Sequence, residues 1–462
     1  MKWLKRILIA LALLLGLALA LPFFISLDDY LPQLEKAVSA RLNEPVSIAR
    51  IRFAALPVPH VTIEGITVGK SADVKLGLVT VTPDMYSLWQ PVRVIKRIEI
   101  DTLTLTREAI NKIPVWLNPD DDKSPQPRVR VERIQLTNAR GNFGQTNFGP
   151  FDVRANLDSK NAAEDITITT QDGKLRARIK PDQSKYLIEA SAKGWTPPIS
   201  STLLFDELTL KGVATPDDIT LNQVSAKLYG GTLNGTAHAR WRQGLQLNGN
   251  LDIRHLEVQQ VAAMLSLKSH VSGKLDARPV FSASLASSDK QGDEHPAKFA
   301  DKFMAALRLD MPFSIENGVL RGVDIEQAAT RLSKHGTTGG ETRFETLSGH
   351  LVLQQRSYHF TQLRISSGSL AVDGAVNISP KKELAGRINA RVNVMGASAS
   401  VPLNVTGTVD DPTLLPTGAA MTGAAVGTVL LGPGLGTAVG VKVGDWVDNL
   451  FGAQNKPKKK PK

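Results

Sequence analysis

The stretch FSIENGVLRGV, residues 313–323, alternates apolar and polar side chains up to Glu316. It then meets Asn317-Gly318 and resumes with Val319 and Leu320. Successive side chains of a β-strand point to opposite faces. Phe313 and Ile315 therefore share a greasy face, and Ser314 and Glu316 face water. Asn-Gly between two such runs is a hairpin signal, so the chain is expected to turn there.

The same period of two fills most of the chain. Ile388, Ala390, Val392 and Val394 alternate with Arg387, Asn389, Arg391 and Asn393; Leu403, Val405, Gly407 and Val409 repeat the pattern. Leu245, Leu247, Leu251 and Ile253 do so around Gly249. Ile166 and Ile168 are parted from Leu175, Ala177 and Ile179 by Gln171-Asp172-Gly173, a second hairpin signal. One greasy and one wet face per strand reads as half-buried antiparallel sheet. An apolar–polar–Gly triplet also recurs, ending at Gly212, Gly235, Gly249, Gly273, Gly349, Gly374 and Gly407. These glycines fall on the apolar face, where they let a sheet curl or a backbone approach closely. The plainer reading makes them bulges or turn entries.

Helix signals are few. Leu31, Leu34, Val38 and Leu42 recur at helical spacing before Pro45, and short helices fit 256–265 and 298–307. Ile7–Leu27 is 21 residues without a charge, preceded by Lys2, Lys5 and Arg6 and followed by Asp28-Asp29. At 1.5 Å per residue it matches the roughly 30 Å of a bilayer core. The flanking charges put its start in the cytoplasm and the body across the membrane. An uncleaved anchor is expected; the competing reading is a signal peptide cut after Ala18-Leu19-Ala20.

Of the 462 residues 42% are hydrophobic but only 5% aromatic, so the apolar material is mostly aliphatic. The absence of cysteine excludes disulfides and thiolate metal sites. The net charge of +11 sits largely at the ends, with five lysines from Lys456 to Lys462 and three cations before Ile7, leaving about +3 for the body. A nearly neutral body argues against a nucleic-acid partner, which needs a concentrated basic face. None of the eight histidines forms a His-Glu-x-x-His pair, and no Gly-x-Ser-x-Gly elbow or Walker loop is present. Gly434–Gly440 only approximates a dinucleotide loop, and Asp120-Asp121-Asp122 reads as a solvated linker. No catalytic, cofactor or metal residue is therefore assigned, and no enzyme activity is expected.

Pro412–Val441 is 30 residues without a charge and carries Gly-x-x-x-Gly spacings that let helices approach in an apolar medium. Gly432-Pro433-Gly434 divides it. A helical hairpin lying in or against a bilayer is expected, touching it through Leu430, Leu431, Leu435, Trp446 and Phe451. Packing on the body and a plain loop are the alternatives. The expected organisation is a basic cap and anchor (1–27), an N-terminal region (28–117), a linker (118–127), a middle β region (128–283), a second linker (284–298), a C-terminal β region (299–416), the glycine-rich hairpin (417–453) and a basic tail (454–462).

Several stretches resemble the AsmA-like family of Gram-negative envelope proteins. They are PVSIARIRFAALPVPHVTIEGITVG (45–69), with a P-x-P-x-V-x-I step at Pro57–Ile63, and VTVTPDMYSLWQPVRVIKRIEIDTLTL (79–105). FSIENGVLRGVDI, TRFETLSGHLVLQQRSYHFTQLRISSGSLAVDGAVNI and VPLNVTGTVDDPTLLP follow in the family's order; residues 130–290 match only in style. The resemblance implies a single-pass inner-membrane protein with its bulk in the periplasm. It also implies an elongated, curved antiparallel sheet forming an open hydrophobic groove, with an N-terminal transmembrane helix and a few short helices. The implied role is phospholipid transport or homeostasis between inner and outer membranes, without cofactor. Candidate groove-lining residues are Ile166, Ile168, Leu245, Leu247, Leu251, Ile253, Phe313, Ile315, Ile388, Val392, Val394, Leu403 and Val405. The C-terminal hairpin would meet the outer membrane or an envelope protein. The alternative function is a structural adaptor that assists envelope assembly through protein contacts. Periodicity does not distinguish an open apolar face from one covered by a second layer, as in a β-sandwich.

Overall fold

A computed structural model describes residues 30–106, 128–143, 146–198, 202–264, 270–286, 296–331, 335–394 and 397–418, with single positions at 108, 109, 112, 333, 420 and 421. The described chain is mainly β, with mostly antiparallel strands and a few short helices. No helix among the described residues is long and apolar enough to cross a membrane. The 7–27 run and the glycine-rich stretch bearing Leu430, Leu431, Leu435, Trp446 and Phe451 lie outside the described residues. Internal contacts divide the chain into two compact units between Leu203 and Leu204.

The first unit opens with helix α1 (Leu31–Leu42). Its strands are β1 (Val46–Ser47), β2 (Arg50–Ala54), β3 (His60–Val68), β4 (Val74–Pro83), β5 (Val92–Thr106), β6 (Arg128–Val131), β7 (Arg133–Phe143), β8 (Thr146–Leu157), β9 (Ala163–Thr170), β10 (Leu175–Asp182) and β11 (Lys185–Trp195). Neighbours pair antiparallel except that β5 lies parallel to β6 and β7. The purely antiparallel expectation is corrected there. A parallel pair needs a crossover of a dozen or more residues, and the 107–127 connection is long enough to supply it.

Register gathers the alternating apolar residues into rows. One row runs Ile51, Ile63, Val79, Ile100, Leu136, Val153, Ile168, Ala177, Ala190. The next runs Phe53, Val61, Val81, Ile98, Ile134, Ala155, Ile166, Ile179, Ile188. The apolar parity switches within β3 (Val61 and Ile63, then Ile66 and Val68) and within β5 (Ile98 and Ile100, then Leu103 and Leu105). Each switch falls at a left-handed residue, Gly65 and Thr102. Pairing keeps its register across both points; both halves of β3, and the second half of β5, feed one core.

Over β1–β4 that core is capped by α1, whose Leu31, Leu34, Val38 and Leu42 pack against Val46, Ile48, Ile51, Val68 and Val74. The helix runs antiparallel to β1 and β2. Ser39 Oγ accepts from Val46 N at 3.0 Å, and Glu35 Oε1 accepts from Ile48 N at 2.7 Å. At the core's rim Lys112 Nζ lies 2.6 Å from Glu44 and 2.9 Å from the buried Asp73. Hydrogen bonding to Glu44 and then to Asp73 holds the ammonium above its ordinary value of 10.5. A raised folded value stabilises fully below the unfolded one and is lost as pH rises through the folded one. The thermal midpoint is therefore expected to fall as pH passes above 10.5, and to fall less steeply in Lys112→Met. Identical pH profiles for the two chains would refute the linkage.

The second unit contains β12 (Phe205–Ala214), β13 (Asp218–Leu228), β14 (Gly231–Arg240), β15 (Gly244–Glu257), α2 (Val258–Met264), β16 (Val271–Ala277), β17 (Val280–Ala286), α3 (Pro296–Ala306), β18 (Arg308–Arg321) and α4 (Ile325–Arg331). They are followed by β19 (Thr337–Thr338), β20 (Glu341–Gln354), β21 (Ser357–Ser367), β22 (Leu370–Ile378), β23 (Leu384–Val394), β24 (Ala397–Gly407) and β25 (Pro412–Pro416). The expected turn at Asn317-Gly318 is corrected: β18 runs through it and pairs on both sides, Val319 with Ser272 and Arg343. An Asn-Gly turn needs left-handed backbone at both residues, and only Asn317 takes it (φ +50°). The pair is instead a bulge against β16. Gly318 serves close approach, since a Cβ there would lie 2.1 Å from the Ser272 carbonyl and 2.4 Å from the Phe344 ring.

The sheet of this unit curls back on itself at its C-terminal end. The last strand, β25, pairs with β24 on one side and with β19 on the other. As β19 belongs to the connection between β18 and β20, the sheet returns to its own middle. Gly322 and Gly340 seal the return, with Gly322 N donating to Gly340 O at 2.9 Å. Helix α4 fills the curl with the buried Ile325, Ala328 and Ala329. Asp324 caps it by accepting from Gln327 N at 2.8 Å, and Thr342 Oγ1 accepts from Ile325 N at 3.0 Å.

Candidate functional site

The best candidate for a site is the part of the apolar face whose half-buried side chains lie in neither hydrophobic core. In the second unit one row runs Leu208, Ala226, Leu233, Ile253, Ala277, Phe313. A second runs Leu221, Ala237, Gly249, Phe281, Leu309, Leu353. Both are legible as alternation within single strands; which residues fall side by side depends on register.

The predicted lining residues divide into two groups. Leu245, Leu247, Leu251 and Ile253 are half-buried and belong to neither hydrophobic core. Ile166 and Ile168 lie on the two long rows of the first unit, also half-buried and outside its core. Phe313 is half-buried against the second unit's core and meets Phe360 edge-on at 6.1 Å. By contrast, Ile315, Ile388, Val392, Leu403 and Val405 are inside that core, Leu403 with no exposed surface. These five do not line an open surface, because the curl through β19 and helix α4 closes over them. The side chain of Val394, at the end of β23, lies outside the description.

The structure adds the half-buried Leu221, Phe281 and Leu309 to the residues outside both cores. They also border a concavity of about 650 Å³, but most of its lining, including Thr236, His238, Asn248, Arg308 and Asp310, comes from the wet face, so it is not part of the apolar surface. Phe281 was legible in the alternating VFSASLA (280–286), but only register shows its ring lying over Gly249, where an added Cβ would meet it at 2.6 Å. The triplet glycines bring strands together closely: a Cβ at Gly212, Gly235 or Gly374 would stand 2.3, 2.1 or 2.4 Å from the neighbouring strand's carbonyl. Such approach favours a curled sheet.

The opposite face is wet and ion-paired across strands. Arg178 Nε lies 2.7 Å from Asp165, Lys227 Nζ 2.8 Å from Glu207, and Arg391 3.1 Å from Asp373. The Arg178 hydrogen bond holds the Asp165 carboxyl below the usual range, and Asp165 in turn raises Arg178. Among the described residues no three His, Asp or Glu side chains converge as a metal site. The arrangement offers aliphatic contact on one face and solvation on the other. No family model matches the chain, and no curated protein or solved structure does.

Proposed function

We propose that the chain binds phospholipid acyl tails along the apolar face that lies outside both hydrophobic cores. In this reading it is an AsmA-like, inner-membrane-anchored periplasmic protein that contributes to lipid transport or homeostasis between the inner and outer membranes. The supporting observation is the half-buried aliphatic set Leu245, Leu247, Leu251 and Ile253, which lies in neither core. A ~16-carbon acyl chain exposed to water costs about 13 kcal/mol at about 0.8 kcal/mol per CH₂. A carrier must therefore offer continuous apolar contact, which a row of aliphatic side chains does without selecting one tail. Since Val271 and Leu275 of β16 pack on the closed core, β12–β15 and β17 are the lipid-holding part in this reading.

A photo-crosslinking residue at Leu247 in living cells is expected to capture phospholipid. The same residue at Asn248, its neighbour on the wet face, is expected not to, nor at the sealed Val392. Equal capture at positions 247 and 248, or none at 247, would remove the proposal. Protein adducts without lipid at 247 would favour the adaptor function.

A further inference from the structure

Twelve large apolar side chains stand exposed among the described residues, and five of them fall in two connections at one end of the first unit's opening strands: Leu56, Val58, Tyr86, Leu88 and Trp89. Tyr86 and Trp89 are 85% and 83% exposed. Register brings their segments together. Ala54 pairs with His60, so the 55–59 connection leaves one end of the β2–β3 pair. Val61 pairs with Val81 and Val81 with Ile98, which puts the 84–91 connection at the same end.

The aromatic turn is held outward by its own hydrogen bonds. Asp84 Oδ1 accepts from Tyr86 N at 3.1 Å. The buried Ser87 hydroxyl donates to Asp84 O at 2.7 Å and accepts from Val94 N at 2.8 Å.

The start of α1 points the same way. Residues 39 and 35 of the helix stand beside 46 and 48 of the strand. Four helical residues and two strand residues each advance about 6 Å, so Leu31 stands near the level of Arg50. The N-terminal end of α1 is thus the end of the helix nearer the 55–59 and 84–91 connections. The 21-residue charge-free run ends at Leu27, three residues before Tyr30.

We propose that this end is a docking foot for the surface of a phospholipid bilayer, the same bilayer that takes up residues 7–27. Trp and Tyr favour the membrane–water boundary, where an apolar ring and a polar edge are both satisfied. Of the cations on the adjoining ends of β2 and β5, Arg52, Lys96 and Arg97 are paired with Glu64, Asp84 and Glu99. Arg93 has no ion-pair partner among the described residues, leaving it for an anionic headgroup. The foot rests on the anchor reading and is separate from lipid binding on the apolar face.

The chain has no cysteine, so single sites can be labelled. Full-length Trp89→Cys carrying a nitroxide is reconstituted in phosphatidylcholine–phosphatidylglycerol vesicles. Lys174→Cys, in the β9–β10 turn at the other end of the strands, is the reference. The label at 89 is expected to collide at least fivefold less with a water-soluble nickel chelate than the label at 174, and more with oxygen. Equal nickel access at both sites overturns the proposal. So does shielding of 89 from nickel and oxygen alike, which marks a protein contact. A chain that fails to float with vesicles overturns it through the anchor, and lipid capture at Leu247 in cells reports on the apolar face separately.

Discussion

Leu403→Ala is expected to destabilise the second unit by about 2–5 kcal/mol, the range for truncating a buried leucine. Leu403 has no exposed surface and lies in the core closed by α4 and the β19–β25 pairing. The neighbouring strands are held on both sides, so the cavity cannot collapse easily and the cost should fall in the upper half of that range. Thermal unfolding should drop on the order of 10 °C. Leu403→Met, which keeps the volume, should cost less than about 1.5 kcal/mol. An unchanged midpoint in Leu403→Ala would mean that the residue lines open space and that the core is not sealed.

The double substitution Leu247→Asp with Leu251→Asp should do the reverse, leaving the fold in place and removing bound lipid. Both side chains are half-buried and neither belongs to a core, so the stability loss should stay within about 2 kcal/mol. A tail lying on this face would strip water from two carboxylates, which costs several kcal/mol without a compensating partner. A tenfold loss of binding needs only about 1.4 kcal/mol. Phospholipid recovered with the purified chain should therefore fall at least tenfold. Asn248→Asp, on the wet face between them, should leave it unchanged. Undiminished lipid in the double variant would rule out this face as the binding surface.

The two outcomes differ although Leu247 and Leu403 have the same sequence signature. Each is an aliphatic residue on an alternating strand, two residues from a second one and close to a triplet glycine. Local alternation dictated that both would point to the apolar face, and both do. The hairpin at Gln171–Gly173 and the packing of α1 through Leu31, Leu34, Val38 and Leu42 were legible for the same reason: short-range stereochemistry and helical spacing determine them. The Asn317-Gly318 bulge was not, because Asn-Gly serves a turn or a bulge equally well locally, and pairing with β16 and β20 on either side selected the bulge.

By itself, the sequence determined the strand period, the identity of the greasy face, and the glycines that let neighbouring backbones come close. Tertiary structure alone decided which lengths of that face are covered. Coverage depends on β25 returning to β19 and on α4 lying inside the curl, contacts between residues some 75 positions apart. Side-chain alternation carries no information about such contacts, since it describes a strand's two faces and not what is packed against them.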